Sequence, residues 1–114
     1  MNKKEDLVFI NHILDSINAI HTFLKGVPQE VFISDRLRQS AVIREIEIIG
    51  EAVKNISSQL QRKYPEVGWQ NIAQTRDKMI HHYFGVDLGI VWGIVTRDLP
   101  ILRKKMEKIK SALE

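Results

Sequence analysis

From Leu7 to Leu24 the apolar residues Ile10, Ile13, Ile17, Ile20 and Leu24 recur at intervals of three and four. That is the packing period of a helix with one apolar stripe. The pattern predicts a first helix ending near "KGVP", where Gly26 can terminate it and Pro28 prevents simple continuation. A second stripe, Val42, Ile46, Ile49, Val53, Ile56 and Leu60, follows 4-3-4-3-4 spacing. It predicts one long helix that begins near Ser34 or Asp35 and stops by Tyr64, spanning about 40 Å at roughly 1.5 Å per residue. Gly50 lies inside it at a propensity cost of about 1 kcal/mol relative to alanine, and close approach of another helix is one return for that cost. On the same helix Arg44 can face the part of a site that needs positive charge or pair with Glu47 one turn later, and Glu51 can bond a cationic partner or sit in solvent.

After the "YPEVG" connection, a shorter helix is expected from Trp69 to about Phe84, stopped by Gly85, with Asp87 capping the next one. Val91, Ile94, Ile101, Leu102 and Ile109 mark the last helix, in which Pro100 predicts a kink or a local restart. No segment shows strong strand alternation. The expected fold is all-α, a compact four-to-five-helix up-down bundle forming a single domain over residues 1–114, with Trp69 and Trp92 as packing residues.

Composition narrows the classes. The 114 residues, 44% of them hydrophobic, suffice for one core and are too few for two conventional domains. No run approaches the roughly 20 apolar residues of a membrane span, and Asp6, Asn11, His12 and Asp15 come too early for a signal-peptide core. The expectation is therefore a cytoplasmic protein without a membrane partner. The absence of cysteine excludes disulfides, thiol nucleophiles and thiolate metal sites. Residues 1–96 hold eleven basic and eleven acidic side chains, whereas residues 97–114 hold six and three. This C-terminal excess permits attraction to phosphate, and a solvated helix face explains it equally well.

One segment carries candidate chemistry, "TRDKMIHHYFGVD" over positions 75–87. Advancing about 100° per residue puts Arg76, Met79 and Tyr83 within about 40° of Ile72, so the arginine is expected to project from an apolar face. Burying that guanidinium without acceptors is costly, which points to an interface or a recessed cleft. His81 lies about 140° from Arg76 on a continuous helix; a distorted helix end or a two-fold dimer would bring such groups together. Asp77, four residues before His81, can accept a ring N–H and select a histidine tautomer. Histidine can move a ribose proton near neutral pH while arginine stabilises charge on phosphate, and RNA supplies its own nucleophile in the 2′-OH. On the residues alone, an ordinary packed helix end and an acid-base site both remain open. His12 and His21 read as structural or exposed, and His82 as a surface residue. No HExxH or comparable spacing defines a metal site, and no phosphate-binding glycine loop is present.

The stretch "RDKMIHHYFGVD" resembles the R-x4-H-x-Y signature of the small HepT-like ribonuclease toxins of the HEPN group, and "AVIREIEIIGEAVKNIS", "YPEVGW" and "VDLGIVWGIVTRDLP" are similar to that family's helices and connections. The resemblance covers nearly the whole chain. It implies a HEPN-like helical homodimer with a composite RNA-cleaving cleft. In that cleft Arg76 and His81 would be catalytic, Asp77 would support their geometry, and no metal or other cofactor would serve cleavage. It also implies a minimal nucleotidyltransferase antitoxin as partner, with Tyr83 as acceptor of AMP from ATP and magnesium. Inactive homologues make a catalytically silent helical adaptor, binding a nucleotide or that partner, the alternative.

Overall fold

The computed structural model describes residues 3–79 and 85–114. In chain order the described helices are α1 (Lys3–Leu24), α2 (Gln29–Phe32), α3 (Arg36–Lys54), α4 (Ser58–Lys63), α5 (Trp69–Ala73), α6 (Thr75–Met79), α7 (Leu88–Gly93) and α8 (Leu99–Leu113). A 3-10 turn, Pro65–Val67, follows α4, and a π-helical turn, Ile94–Asp98, joins α7 to α8. The all-α class is as expected. The division is finer than a four-to-five-helix bundle: three long rods, α1, α3 and the α7–α8 run, carry the frame, and short helices fill between them.

The core forms where the predicted stripes meet. Ile10, Ile13, Ile17 and Ile20 of α1 pack with Val42, Ile46, Ile49 and Val53 of α3 and with Leu102, Met106 and Ile109 of α8, all buried. By length and mean hydropathy α1 is apolar enough to cross a membrane, which differs from the sequence expectation. Its buried stripe against α3 and α8 supplies a different reason for that apolarity.

The predicted end of α1 and the predicted start of α3 are where the sequence signals lie. Gly26 takes the left-handed conformation at φ 73°, which favours a residue without Cβ. Asp35 caps α3 by accepting the backbone N–H of Arg38 at 3.1 Å, and that bond, with the Arg38 guanidinium beside it, holds the Asp35 carboxyl below its usual range. Between them α2 was not expected. Its Phe32 is fully buried and stacks, tilted, on Trp92 at 5.4 Å, so core packing outweighs the low intrinsic stability of one helical turn.

The long second helix is not continuous. It ends at Lys54 and restarts as α4, because the buried Asp6 of α1 takes the backbone N–H of Ser57 at 2.8 Å and its hydroxyl at 2.6 Å. The Ser57 hydroxyl in turn accepts the N–H of Leu60 at 3.2 Å, capping α4. Gln61 donates its side-chain N–H to the carbonyls of Val53 and Ile56, which gives the free carbonyls after the end of α3 a donor. Pro100 has the predicted effect. Lacking an N–H, it leaves the preceding turn without a regular helical bond, and the chain widens into the π turn just before it. Trp69 is buried and donates its indole N–H to the Tyr64 carbonyl at 2.9 Å, as a packing residue with a polar tip should.

Candidate active site

The segment expected as one helix from Trp69 to Phe84 breaks at Gln74 into α5 and α6. Ile80, His81, His82, Tyr83 and Phe84 lie outside the described residues, so the expected roles of His81 and Tyr83 rest on sequence. Their flanks are defined. Met79 is buried at the end of α6, and the backbone N–H of Asp87 donates to its carbonyl at 2.8 Å. Gly85 has φ 89°, the left-handed conformation that favours a residue without Cβ. Asp87 caps α7 through the N–H of Ile90 at 3.1 Å, as predicted.

Gly50 marks where α5 approaches α3. A Cβ on it would lie 3.6 and 3.7 Å from the carbonyl oxygens of Ile72 and Ala73, so the end of α5 rests close against the bare backbone of α3. One helical turn before Gly50, on the same face of α3, is Glu47. Its carboxylate accepts the Nε–H of Arg76 at 2.9 Å.

Glu47 pairs with Arg76 rather than with Arg44, and the Arg76 side chain is 61% exposed in the single chain. After the break at Gln74, Met79 takes a buried position, as its place on the apolar face predicts, and Arg76 reaches Glu47 on α3. Bonding through Nε fixes the plane of the guanidinium and leaves its terminal nitrogens for an anion. The Asp77 carboxylate is exposed and has no hydrogen-bond partner among the described residues. Glu51 is exposed as expected, 3.7 Å from Lys54.

Arg76 borders a groove of about 420 Å³ between α1 and α3, lined also by Phe9, His12, Arg44, Glu47 and Asn55. Sequence reasoning assigned no site role to Glu47 or His12 and weighed Arg44 only singly. The one local signal was Gly50, which marks the face of α3 that another segment approaches. A second groove, on the side of α6 that carries Thr75 and Lys78, has an apolar floor of Ile72, Ile94 and Leu102; Arg76 does not line it. Among the described residues no group of three or more His, Asp or Glu side chains is placed to hold a metal ion.

A family model described as "Ribonuclease HepT-like" matches residues 13–109. The protein named "Probable ribonuclease HepT" from Thermococcus cleftensis is 42% identical over 108 residues, 95% of this chain and 98% of that protein. A protein of Methanocaldococcus jannaschii named "Putative RNase" is 41% identical over 114 residues, all of this chain and 94% of its own length. A longer protein from the same organism, "Gamma-glutamylcyclotransferase and putative RNase", is 41% identical over 112 residues, and the match spans 50% of its length. No solved structure matches the chain.

Proposed function

The chain belongs to the HepT-like ribonuclease family, whose role is enzymatic and nuclease-like, and from that premise we propose a metal-independent endoribonuclease toxin that works as a cytoplasmic two-fold dimer. The observation that carries the reading is Arg76, oriented by Glu47 and open to solvent, five positions before His81 in the sequence. An arginine held by its Nε with its terminal nitrogens free suits a phosphate whose charge grows during reaction.

In the proposed reaction the ribose 2′-oxygen loses its proton and attacks the adjacent phosphorus. The bond from phosphorus to the 5′-oxygen breaks, and that oxygen takes a proton. The products are a 2′,3′-cyclic phosphate and a 5′-hydroxyl. His81 serves one of the two proton transfers, Arg76 stabilises the phosphorane-like charge, and Asp77 orients the imidazole. A two-fold axis near α6 supplies a second copy of both residues to one cleft. The partner is a minimal nucleotidyltransferase antitoxin that uses ATP and magnesium to place AMP on Tyr83.

The test is cleavage of RNA in chelator by the wild-type chain and by His81→Ala. Products ending in 2′,3′-cyclic phosphate, with cleavage sharply reduced in the variant and the circular dichroism unchanged, are expected. Full activity in the variant removes His81 from the mechanism. Cleavage of a substrate lacking every 2′-OH rejects the chemistry, and an inert wild-type chain leaves the helical adaptor as the reading. Light scattering over a range of concentrations should give the dimer mass; a persistent monomer defeats the composite cleft.

A further inference from the structure

We propose that the groove between α1 and α3 is a nucleotide subsite beside Arg76, in which His12 stacks on a base of single-stranded RNA and Arg44 holds a backbone phosphate. The inference rests on the ribonuclease reading for its biological setting, but the binding it describes is independent of turnover.

Three features of the groove point to this occupant. Phe9 and His12, one turn apart on α1, form an edge-to-face ring pair with centroids 5.7 Å apart and planes at 89°. Phe9 is half-buried and His12 exposed, so the inner ring steadies the outer one at the groove wall. An aromatic surface that is wetted but held in place is what base stacking uses, and it is tolerant of base identity. On the opposite wall Arg44 is exposed and has no ion pair among the described residues, and it shares the groove with Arg76. Asn55 lies at the far end; its side-chain N–H donates to the Glu51 carbonyl at 2.9 Å, which leaves its amide oxygen to accept from a base edge.

The acidic groups of the groove are already engaged. Glu47 is bonded to Arg76 and Glu51 lies near Lys54, so Arg44 is the groove cation without a carboxylate of its own. A volume of about 420 Å³ is in the range of small-ligand clefts, which run from roughly 300 to 1,000 Å³. It admits one nucleotide and does not enclose a duplex.

A short single-stranded RNA with every ribose 2′-O-methylated reports binding without cleavage. Fluorescence anisotropy at several salt concentrations, on the full chain, separates the two contacts. Arg44→Gln is expected to weaken binding and to flatten the slope of log affinity against log salt by about 0.7, the value for one phosphate contact on a single strand. His12→Ala is expected to weaken binding about 5- to 150-fold, the equivalent of one stacked base, with the slope retained. His12→Phe should restore most of the loss. In cleavage assays both losses should appear chiefly in KM.

Wild-type affinity in Arg44→Gln and His12→Ala overturns the subsite, as does failure of the wild-type chain to bind the methylated RNA. A Lys108→Gln variant on the exposed face of α8 that flattens the slope as much as Arg44→Gln also overturns it, because diffuse charge would then account for the attraction. If the wild-type chain binds the methylated RNA as described yet cleaves no unmodified RNA, the subsite stands and the ribonuclease reading falls.

Discussion

Glu47 and Arg76 stand 29 residues apart in the chain and are joined by one hydrogen-bonded ion pair of 2.9 Å. The arginine is well exposed and the glutamate only partly so. Exposed pairs of this kind are worth about 0 to 1 kcal/mol, so the contact does little for folding. Its effect is on orientation.

Glu47→Ala should therefore change stability by less than about 1 kcal/mol and lower single-turnover cleavage by roughly 10- to 100-fold, since misplacing a catalytic group by about 1 Å can cost that much. Thermal denaturation and RNA cleavage on the same preparation measure the two effects. Cleavage equal to wild type would show that Arg76 needs no orienting carboxylate.

Asp6 and Ser57 pose the opposite case, because both are buried and the carboxylate takes two donors from a chain segment 51 residues away. Asp6→Ala leaves the buried Ser57 N–H without its acceptor and loosens the cap on α4. Hydrogen bonds to charged groups contribute about 1.5 to 3 kcal/mol each, and an unpaired buried donor adds its own penalty. Loss of roughly 2 to 4 kcal/mol is expected in urea denaturation, on the same basis. A change under about 0.5 kcal/mol, the usual range for featureless surface sites, would mean that water replaces the carboxylate there.

At Gly50 an alanine Cβ would sit in ordinary contact with the carbonyls of Ile72 and Ala73. Gly50→Ala should thus gain up to about 1 kcal/mol of helix propensity and retain cleavage. Gly50→Leu must displace α5, costing about 1 to 3 kcal/mol, and should carry Arg76 away from Glu47 with loss of cleavage. If leucine is accepted with full activity, the approach of α5 to α3 does not position the arginine.

Tyr83 is the proposed point of control. AMP on its hydroxyl would add bulk and a phosphate charge that competes for Arg76. Tyr83→Phe should keep ring packing and cleavage but resist neutralisation by a nucleotidyltransferase supplied with ATP and magnesium, with the adduct on the wild-type chain read by peptide mass spectrometry. Equal neutralisation of both proteins, with no adduct on Tyr83, would favour direct occlusion by the partner.

Much of this molecule is written locally. The stripes that built α1 and α3, the caps at Asp35 and Asp87, the glycine stop at Gly26 and the disturbance before Pro100 all depend on relations within about one helical turn, and periodicity and capping chemistry report those directly. The same local reading picked out Arg76 and the motif around it. The break between α3 and α4 is different: nothing near Ser57 prevents helix, and the 4-3-4-3-4 stripe runs straight through it. Asp6, far away in sequence, makes the break favourable by offering buried acceptors to donors that a continuous helix would have used otherwise. Likewise the short α2 exists because Phe32 finds Trp92, and Arg76 meets Glu47 because the fold lays α6 beside α3. Each of these depends on a partner brought near only by the folded chain, so only the tertiary structure decided them.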